Sequence, residues 1–181
     1  MTTDVDTTYL ESFPQWLRTL GDDLSAVAPT IADKNAPENA RKALAAALNY
    51  VFKSIDLIPD GIDDIGYLDD AFVLRVAAAQ AVSEGLTGDP YASIARLAGE
   101  AEQVKSFLGS EFGRFDHYVQ SLRKGAARGR TVDDIVSNET TRSEFVADVS
   151  GFARSYQAPS FTREEKTLIK LRAFFDAKLP H

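Results

Sequence analysis

Apolar residues recur every three or four positions along most of the chain, which is the spacing of one face of an α-helix. The pattern is clear from Phe13 to Leu24, where Ser12 is the predicted cap and Pro14 falls in the first turn. The stretch from about Leu68 to Ser83 is apolar on nearly every side, which indicates a central, buried helix. The sequence therefore predicts an all-α fold, a helical bundle of about seven or eight helices.

The composition is that of a globular protein without a disulfide framework. Of 181 residues, 44% are hydrophobic and 26% are charged, and none is cysteine. Cysteine nucleophiles and cysteine-ligated metal sites are therefore excluded. The longest uncharged apolar run is about half of the roughly 20 residues that span a bilayer. A net charge of −7 argues against general nucleic-acid binding, which needs a basic surface. We expect a soluble, cytoplasmic protein that is not transmembrane and binds no nucleic acid.

The negative charge is concentrated in one short segment. Six aspartates fall within the fifteen residues 56–70, with no basic residue among them. They are Asp56, Asp60, Asp63, Asp64, Asp69 and Asp70. Carboxylates this close repel one another unless a metal ion, backbone N–H donors or a basic partner neutralises them. Because Pro59 and Gly61 break the preceding helix, the segment is predicted to form a central helix–loop–helix corner, called the acidic corner below.

Two short motifs in the acidic corner resemble the YkvA-like family, a bacterial domain of unknown function. The first motif reads Asp56-Leu-Ile-Pro-Asp60 and the second, six residues on, reads Gly66-Tyr-Leu-Asp-Asp70. The resemblance covers about residues 40–81. It departs from the family at Ser54, where proline is usual, and in the link 61–65, which is more acidic than usual. The resemblance implies a helical module and no particular reaction.

The aspartates have a structural and a functional explanation, and the sequence leaves both open. In the first, Asp60 caps a turn, while Asp69 and Asp70 lie in the first turn of the buried helix, where the helix dipole favours negative charge by about 0.3–1 kcal/mol. In the second, the acids exceed what capping needs and hold Mg²⁺ or Ca²⁺, which prefer oxygen ligands. Asp56 supports the second explanation, because it is predicted to lie at the C-terminal end of the second helix, where the dipole disfavours an anion.

A second charged region, residues 114–130, holds five basic residues and one acidic residue. The basic residues are Arg114, Arg123, Lys124, Arg128 and Arg130. One interpretation is an amphipathic helix that docks on an anionic membrane or partner, and the other is a core-facing helix with solvated charges. The low density of basic residues favours the second, so peripheral membrane contact is not expected. Gly125 and Gly129 predict a flexible joint within this region.

We expect a non-enzymatic interaction or regulatory module, with no cofactor and no catalytic residue assigned. The alternative is a Mg²⁺-dependent enzyme that uses the aspartates as ligands for Mg²⁺ or Ca²⁺. The partner of such a module is an unknown protein or a second copy of the chain, and a homodimer could bring the acidic corner and the basic region together. We divide the chain into a helical region, residues 1–124, and C-terminal helices, residues 125–181, packed on the same core.

Overall fold

The computed structural model describes residues 3–53, 56–62 and 64–181; Ser54 and Asp63, singled out above, lie outside these ranges. The described residues form eight α-helices and one antiparallel hairpin, which confirms the predicted all-α fold. The helices are α1 (Asp4–Val27), α2 (Glu38–Tyr50), α3 (Leu68–Ser83), α4 (Ala92–Leu108), α5 (Phe112–Ser121), α6 (Val132–Ser137), α7 (Glu139–Ser155) and α8 (Glu165–Lys178). The strands are β1 (Ala126–Ala127) and β2 (Arg130–Thr131), and 3-10 helices cover Ala28–Ala32, Asp89–Tyr91, Gly109–Glu111 and Leu122–Lys124.

The centre of the fold is α3, as its continuous apolar sequence predicts. It packs against α2 and α4 and also contacts α1 and α5. Phe72 of α3 is fully buried, and its ring meets those of Phe13, Phe107, Phe115 and Phe175 at centroid distances of 5.1–6.4 Å. Phe175 belongs to α8, so helices from both ends of the chain contact the same ring. The proposed division at residue 125 stays a prediction.

The first helix begins earlier than its proline suggests. Thr3 is the N-cap of α1, and its hydroxyl accepts a hydrogen bond from the Asp6 backbone N–H at 3.0 Å. The predicted start near Phe13, with Ser12 as cap, is therefore wrong. Pro14 lies inside α1 on its buried side, where it removes one backbone hydrogen bond that the packing of the surrounding apolar residues offsets.

The predicted flexible joint contains a short β-hairpin. Arg128 and Gly129 connect the two strands with φ angles of 51° and 75°, the left-handed pair that a two-residue type I′ turn requires. Asn49 of α2 donates from its side-chain amide to the carbonyl of Arg130 at 3.2 Å, which holds the hairpin on the bundle. Gly129 supplies the turn geometry at this position, and the flexibility of the segment stays a prediction.

A fully buried cation lies in the middle of α3. The Arg75 guanidinium stacks on the Trp16 ring at 4.1 Å and donates to Glu100 at 3.0 Å and to Asp23 at 3.4 Å. Arg96 adds a bond to the second oxygen of Asp23 at 2.6 Å. Burial lowers the pKa of Arg75 to about 10, and the two carboxylates oppose that shift. These two cations and two anions balance one another, so the network is self-contained.

None of the described helices is both long enough and apolar enough to cross a membrane.

Candidate functional site

Helix α2, which precedes the acidic corner, ends at Tyr50. The backbone N–H groups of Phe52 and Lys53 bond to carbonyls three residues back at 3.0 and 2.9 Å, which tightens the chain and stops the helix. Asp56 therefore lies in the loop, six residues beyond the last residue of α2. The prediction that it sits at the C-terminal end of that helix is wrong, so the helix dipole gives no argument about its partner.

The loop turns back on itself at Gly66. The Gly66 N–H donates to the carbonyl of Ile62 at 2.9 Å. A Cβ atom at this position would lie 2.3 Å from the carbonyl oxygen of Asp60 and 2.9 Å from that of Ile62, so only glycine fits. Tyr67 follows in the left-handed region, with φ of 67°, and leads into α3. This reversal brings Asp60 beside the first turn of α3.

The reversal gathers carboxylates that are far apart in the sequence. Asp60, Asp69 and Asp70 each offer one oxygen, and these three atoms all lie within 4.8 Å of one another. Asp69 is 0% exposed and Asp70 is 3% exposed, whereas Asp60 is half-buried. Asp56 is also half-buried, and its side chain interacts with that of Asp60. The structure therefore brings together four of the six predicted aspartates.

The best-satisfied oxygen of this group is Oδ2 of Asp69. The Tyr50 hydroxyl donates to it at 2.6 Å, and the backbone N–H of Ile58 donates to it at 3.2 Å. The backbone N–H of Leu57 in turn donates to the Tyr50 hydroxyl oxygen at 2.8 Å. Tyr50 is not among the residues predicted from the sequence. The available signal was weak: a tyrosine at the end of an apolar helix needs a partner for its hydroxyl when it is buried.

Each of the four gathered aspartates also has a buried oxygen without a hydrogen-bond partner. These atoms are Oδ1 of Asp56, Oδ1 of Asp60, Oδ1 of Asp69 and Oδ2 of Asp70. Leaving a buried polar atom unpaired costs about 1–3 kcal/mol, and more when the group is charged. These four oxygens have no donor among the described protein groups. A proton, an ordered water or a cation would supply the missing partner.

The aspartate pKa values reflect the same shortage of partners. Burial, and then the charges of Asp69 and Asp60, raise the pKa of Asp56 to about 8, against a smaller opposing effect of Lys53. Burial and the charge of Asp69 raise the pKa of Asp60 to about 6. Burial raises the pKa of Asp70 well above its ordinary value, with Asp69 as the next cause. Burial also raises the pKa of Asp69, although its hydrogen bonds oppose the shift.

Of the two other predicted aspartates, Asp64 has partners elsewhere. Asp64 has a φ of 75°, and its Oδ1 accepts from the backbone N–H and the hydroxyl of Thr162 at 2.9 and 2.6 Å. These bonds attach the loop to the segment that precedes α8. Asp63 lies outside the described residues, so its predicted role stays a prediction.

The five predicted basic residues point to separate parts of the structure and do not form one patch. Arg114 donates to the Leu179 and Pro180 carbonyls. Arg123 pairs with Glu84, and Arg130 pairs with Asp148. The Arg128 guanidinium lies 4.5 Å from the centroid of the Phe52 ring, and Lys124 is exposed. Among the described residues, the ion pairs of these side chains all go to acids outside the acidic corner. The proposed contact between the two charged regions within one chain has no ion pair to support it.

A family described as a protein of unknown function (DUF1232) matches residues 40–75. The matched segment runs from α2 through the acidic corner into the first half of α3, so it contains all four gathered aspartates and Tyr50. No curated protein and no solved structure matches the chain. The match supports the expectation of a domain of unknown function, and the YkvA-like name stays a prediction.

Proposed function

We propose that this chain is a non-enzymatic regulatory module whose acidic corner binds one hard divalent cation, Mg²⁺ or Ca²⁺. The observation that carries the proposal is the set of unpaired oxygens on Asp69 and Asp70, two side chains that are almost completely buried. They belong to residues that present ligand atoms within 4.8 Å of one another and of Asp60. A bound cation would satisfy these oxygens and neutralise the carboxylates together.

The spacing fits an oxygen-coordinated ion. Oxygens lie about 2.3–2.6 Å from Ca²⁺, so two ligands on opposite sides of the ion are about 4.6–5.2 Å apart. Three oxygens within 4.8 Å of one another are therefore at separations that ligands of one Ca²⁺ ion show. The distance to Mg²⁺ is about 2.0–2.1 Å, and this ion keeps several waters, which the half-buried side toward Asp56 and Asp60 could accommodate. The absence of cysteine and histidine in the group also favours a hard cation over zinc.

The burial of the ligands supports a regulatory role over a catalytic one. Asp69 and Asp70 are almost completely buried, so an ion bound to them is more accessible from the side of the half-buried Asp56 and Asp60. A surface cavity of about 430 Å³ lies elsewhere, between α5 and the C-terminal residues Pro180 and His181. An ion at the acidic corner would fix the loop between α2 and α3, the two helices at the centre of the bundle. The corner would thus report ion concentration to a partner by becoming ordered.

The test is a titration of chelator-treated protein with Mg²⁺, Ca²⁺ and Mn²⁺, followed by calorimetry and thermal melting. We expect one ion per chain and a melting temperature that rises with ion concentration, since any ligand of the native state stabilises it. Asp60→Asn should weaken binding at least about tenfold, the lower end of the usual effect on a metal site. Asp22→Asn, which removes the same charge from an exposed position of α1, is the matched control. Equal responses from all three proteins, or none, would refute the proposal.

The cytoplasmic location, the YkvA-like relationship and a protein partner or homodimer belong to the same proposal. Cell fractionation tests the location, and sedimentation with and without Mg²⁺ tests self-association. The alternative of a Mg²⁺-dependent enzyme requires a substrate to reach the ion, and turnover of a substrate that stops in Asp60→Asn would favour it.

A further inference from the structure

The hydroxyl of Tyr50 accepts one hydrogen bond and donates another. Tyr50 is 2% exposed, and its oxygen receives the backbone N–H of Leu57 at 2.8 Å. An amide N–H can only donate, so the hydroxyl oxygen is the acceptor in this bond and its single proton is left for Asp69. That proton meets Oδ2 of Asp69 at 2.6 Å, a distance typical of a strong O–H···O⁻ bond.

The two oxygens of Asp69 are therefore in different situations. Oδ2 receives both the Tyr50 hydroxyl and the backbone N–H of Ile58, whereas the buried Oδ1 has no partner. Two donors on one oxygen fix the plane of the carboxylate and leave the other oxygen free for a ligand. Ligating carboxylates in metal sites are commonly held in this way by a second layer of hydrogen bonds.

We propose that Tyr50 is a positioning residue for the cation, whose hydroxyl orients Asp69 so that Oδ1 binds the ion. This inference rests on the proposed cation site. Tyr50 closes α2, Leu57 and Ile58 lie in the loop, and Asp69 is in the first turn of α3. The hydroxyl thus joins all three parts of the acidic corner, and it would link ion binding to the backbone of the loop.

Tyr50→Phe tests the inference, because it removes the hydroxyl and keeps the ring. We expect Mg²⁺ and Mn²⁺ to bind about 10- to 100-fold more weakly, the usual effect of losing an outer-layer partner of a metal ligand. The control is Tyr9→Phe. Tyr9 is also buried, and its hydroxyl bonds to the Ser106 hydroxyl at 2.5 Å, between α1 and α4. This variant should lose some stability and keep the wild-type affinity for the ion.

A measurement on the wild-type chain covers the case in which Tyr50→Phe does not fold. Hydrogen exchange at the amides of Leu57 and Ile58 should slow when Mg²⁺ is added, because both donate into the chain of bonds that ends at Asp69. Unchanged exchange in a protein that binds Mg²⁺ would overturn the positioning role. So would a folded Tyr50→Phe with wild-type affinity, while the cation site would stand. A wild-type protein that binds no ion would overturn both.

Discussion

Replacing Asp70 by asparagine separates the two explanations of the acidic corner, because they predict opposite signs in the absence of ions. Asp70 is 3% exposed, its Oδ2 has no partner, and Asp69, Asp60 and Asp56 are the charges that act on it. Asparagine has the same size and brings N–H donors that can meet the unpaired oxygens nearby. With no cation present, we expect the variant to be more stable than wild type by about 1–3 kcal/mol, the usual cost of an unpaired buried polar group.

A saturating cation should remove that advantage. An ion at 100 times its Kd stabilises the native state by about 2.7 kcal/mol. For a chain of 181 residues, each kcal/mol corresponds to roughly 2–4 °C in Tm, so wild type should gain about 5–11 °C. Asp70→Asn lacks a charged ligand and should gain much less. In chelator, the Tm of Asp70→Asn should exceed that of wild type by about 2–12 °C, and saturating Mg²⁺ should reduce this difference to about zero or reverse it.

The assay is thermal melting by circular dichroism, in EDTA and in saturating Mg²⁺, with Asp22→Asn as the charge-matched control. The structural explanation makes a different forecast: Asp70 would stabilise the first turn of α3 by about 0.3–1 kcal/mol through the helix dipole. Asp70→Asn would then be less stable than wild type in both buffers, and Mg²⁺ would change neither Tm. That result would refute the argument from unpaired oxygens.

Three further predictions concern pH and the supports of the corner. In chelator, the free energy of unfolding should rise as pH falls from about 8 to about 4. The pKa values of Asp56 and Asp60 are about 8 and 6 in the folded protein and 3.8 in the unfolded chain, so the folded protein binds protons more tightly. Urea melts that show a fall in stability would contradict this. Gly66→Ala should lower the free energy of unfolding by about 1–3 kcal/mol and weaken cation binding, because its Cβ would overlap backbone oxygens. Gly61→Ala has open space at its Cβ and should change neither quantity. Urea melts and calorimetry measure both. Arg75→Met should lower the free energy of unfolding by about 3–5 kcal/mol, because it breaks the buried ion pairs with Asp23 and Glu100. Calorimetry should show an unchanged affinity for the cation. A changed affinity would mean that the Arg75 ion pairs and the acidic corner are coupled.

The sequence predicted elements well where one local signal dominated. The span of α3, Leu68–Ser83, agrees with the prediction because the helix is apolar on all sides and is bounded by Gly66 and Gly85. The start of α1 was missed because Pro14 is typical of a first turn, and the packing that tolerates it inside a helix is a tertiary effect. The hairpin at residues 126–131 was missed for a related reason: glycine signals a special backbone conformation but not which one.

The sequence showed that carboxylates are concentrated between residues 56 and 70, but not which of them lie close together. Which aspartates meet depends on the chain reversal at Gly66, where backbone atoms of Asp60 occupy the space of a side chain. Sequence spacing does not encode that contact. Tyr50 was missed because it is 19 residues from Asp69, and the bond between them exists only once the loop has folded. The partners of the basic residues also depend on the tertiary fold, since Arg114 bonds to the carbonyl of Leu179 and Arg123 to Glu84.

The lysine and arginine side chains nearest the acidic corner bear on the proposed cation. Arg75 is fully buried in the same helix as Asp69 and Asp70, but it forms ion pairs with Asp23 and Glu100. Lys53 lowers the pKa of Asp56, but its amino group lies near aromatic rings, 5.6 Å from the centroid of Tyr118. Lys53 contributes one positive charge beside the four carboxyl groups of the described part of the corner. Below the raised pKa values, bound protons reduce the negative charge. Above those pKa values, the proposed divalent cation would balance it at the buried oxygens that have no donor.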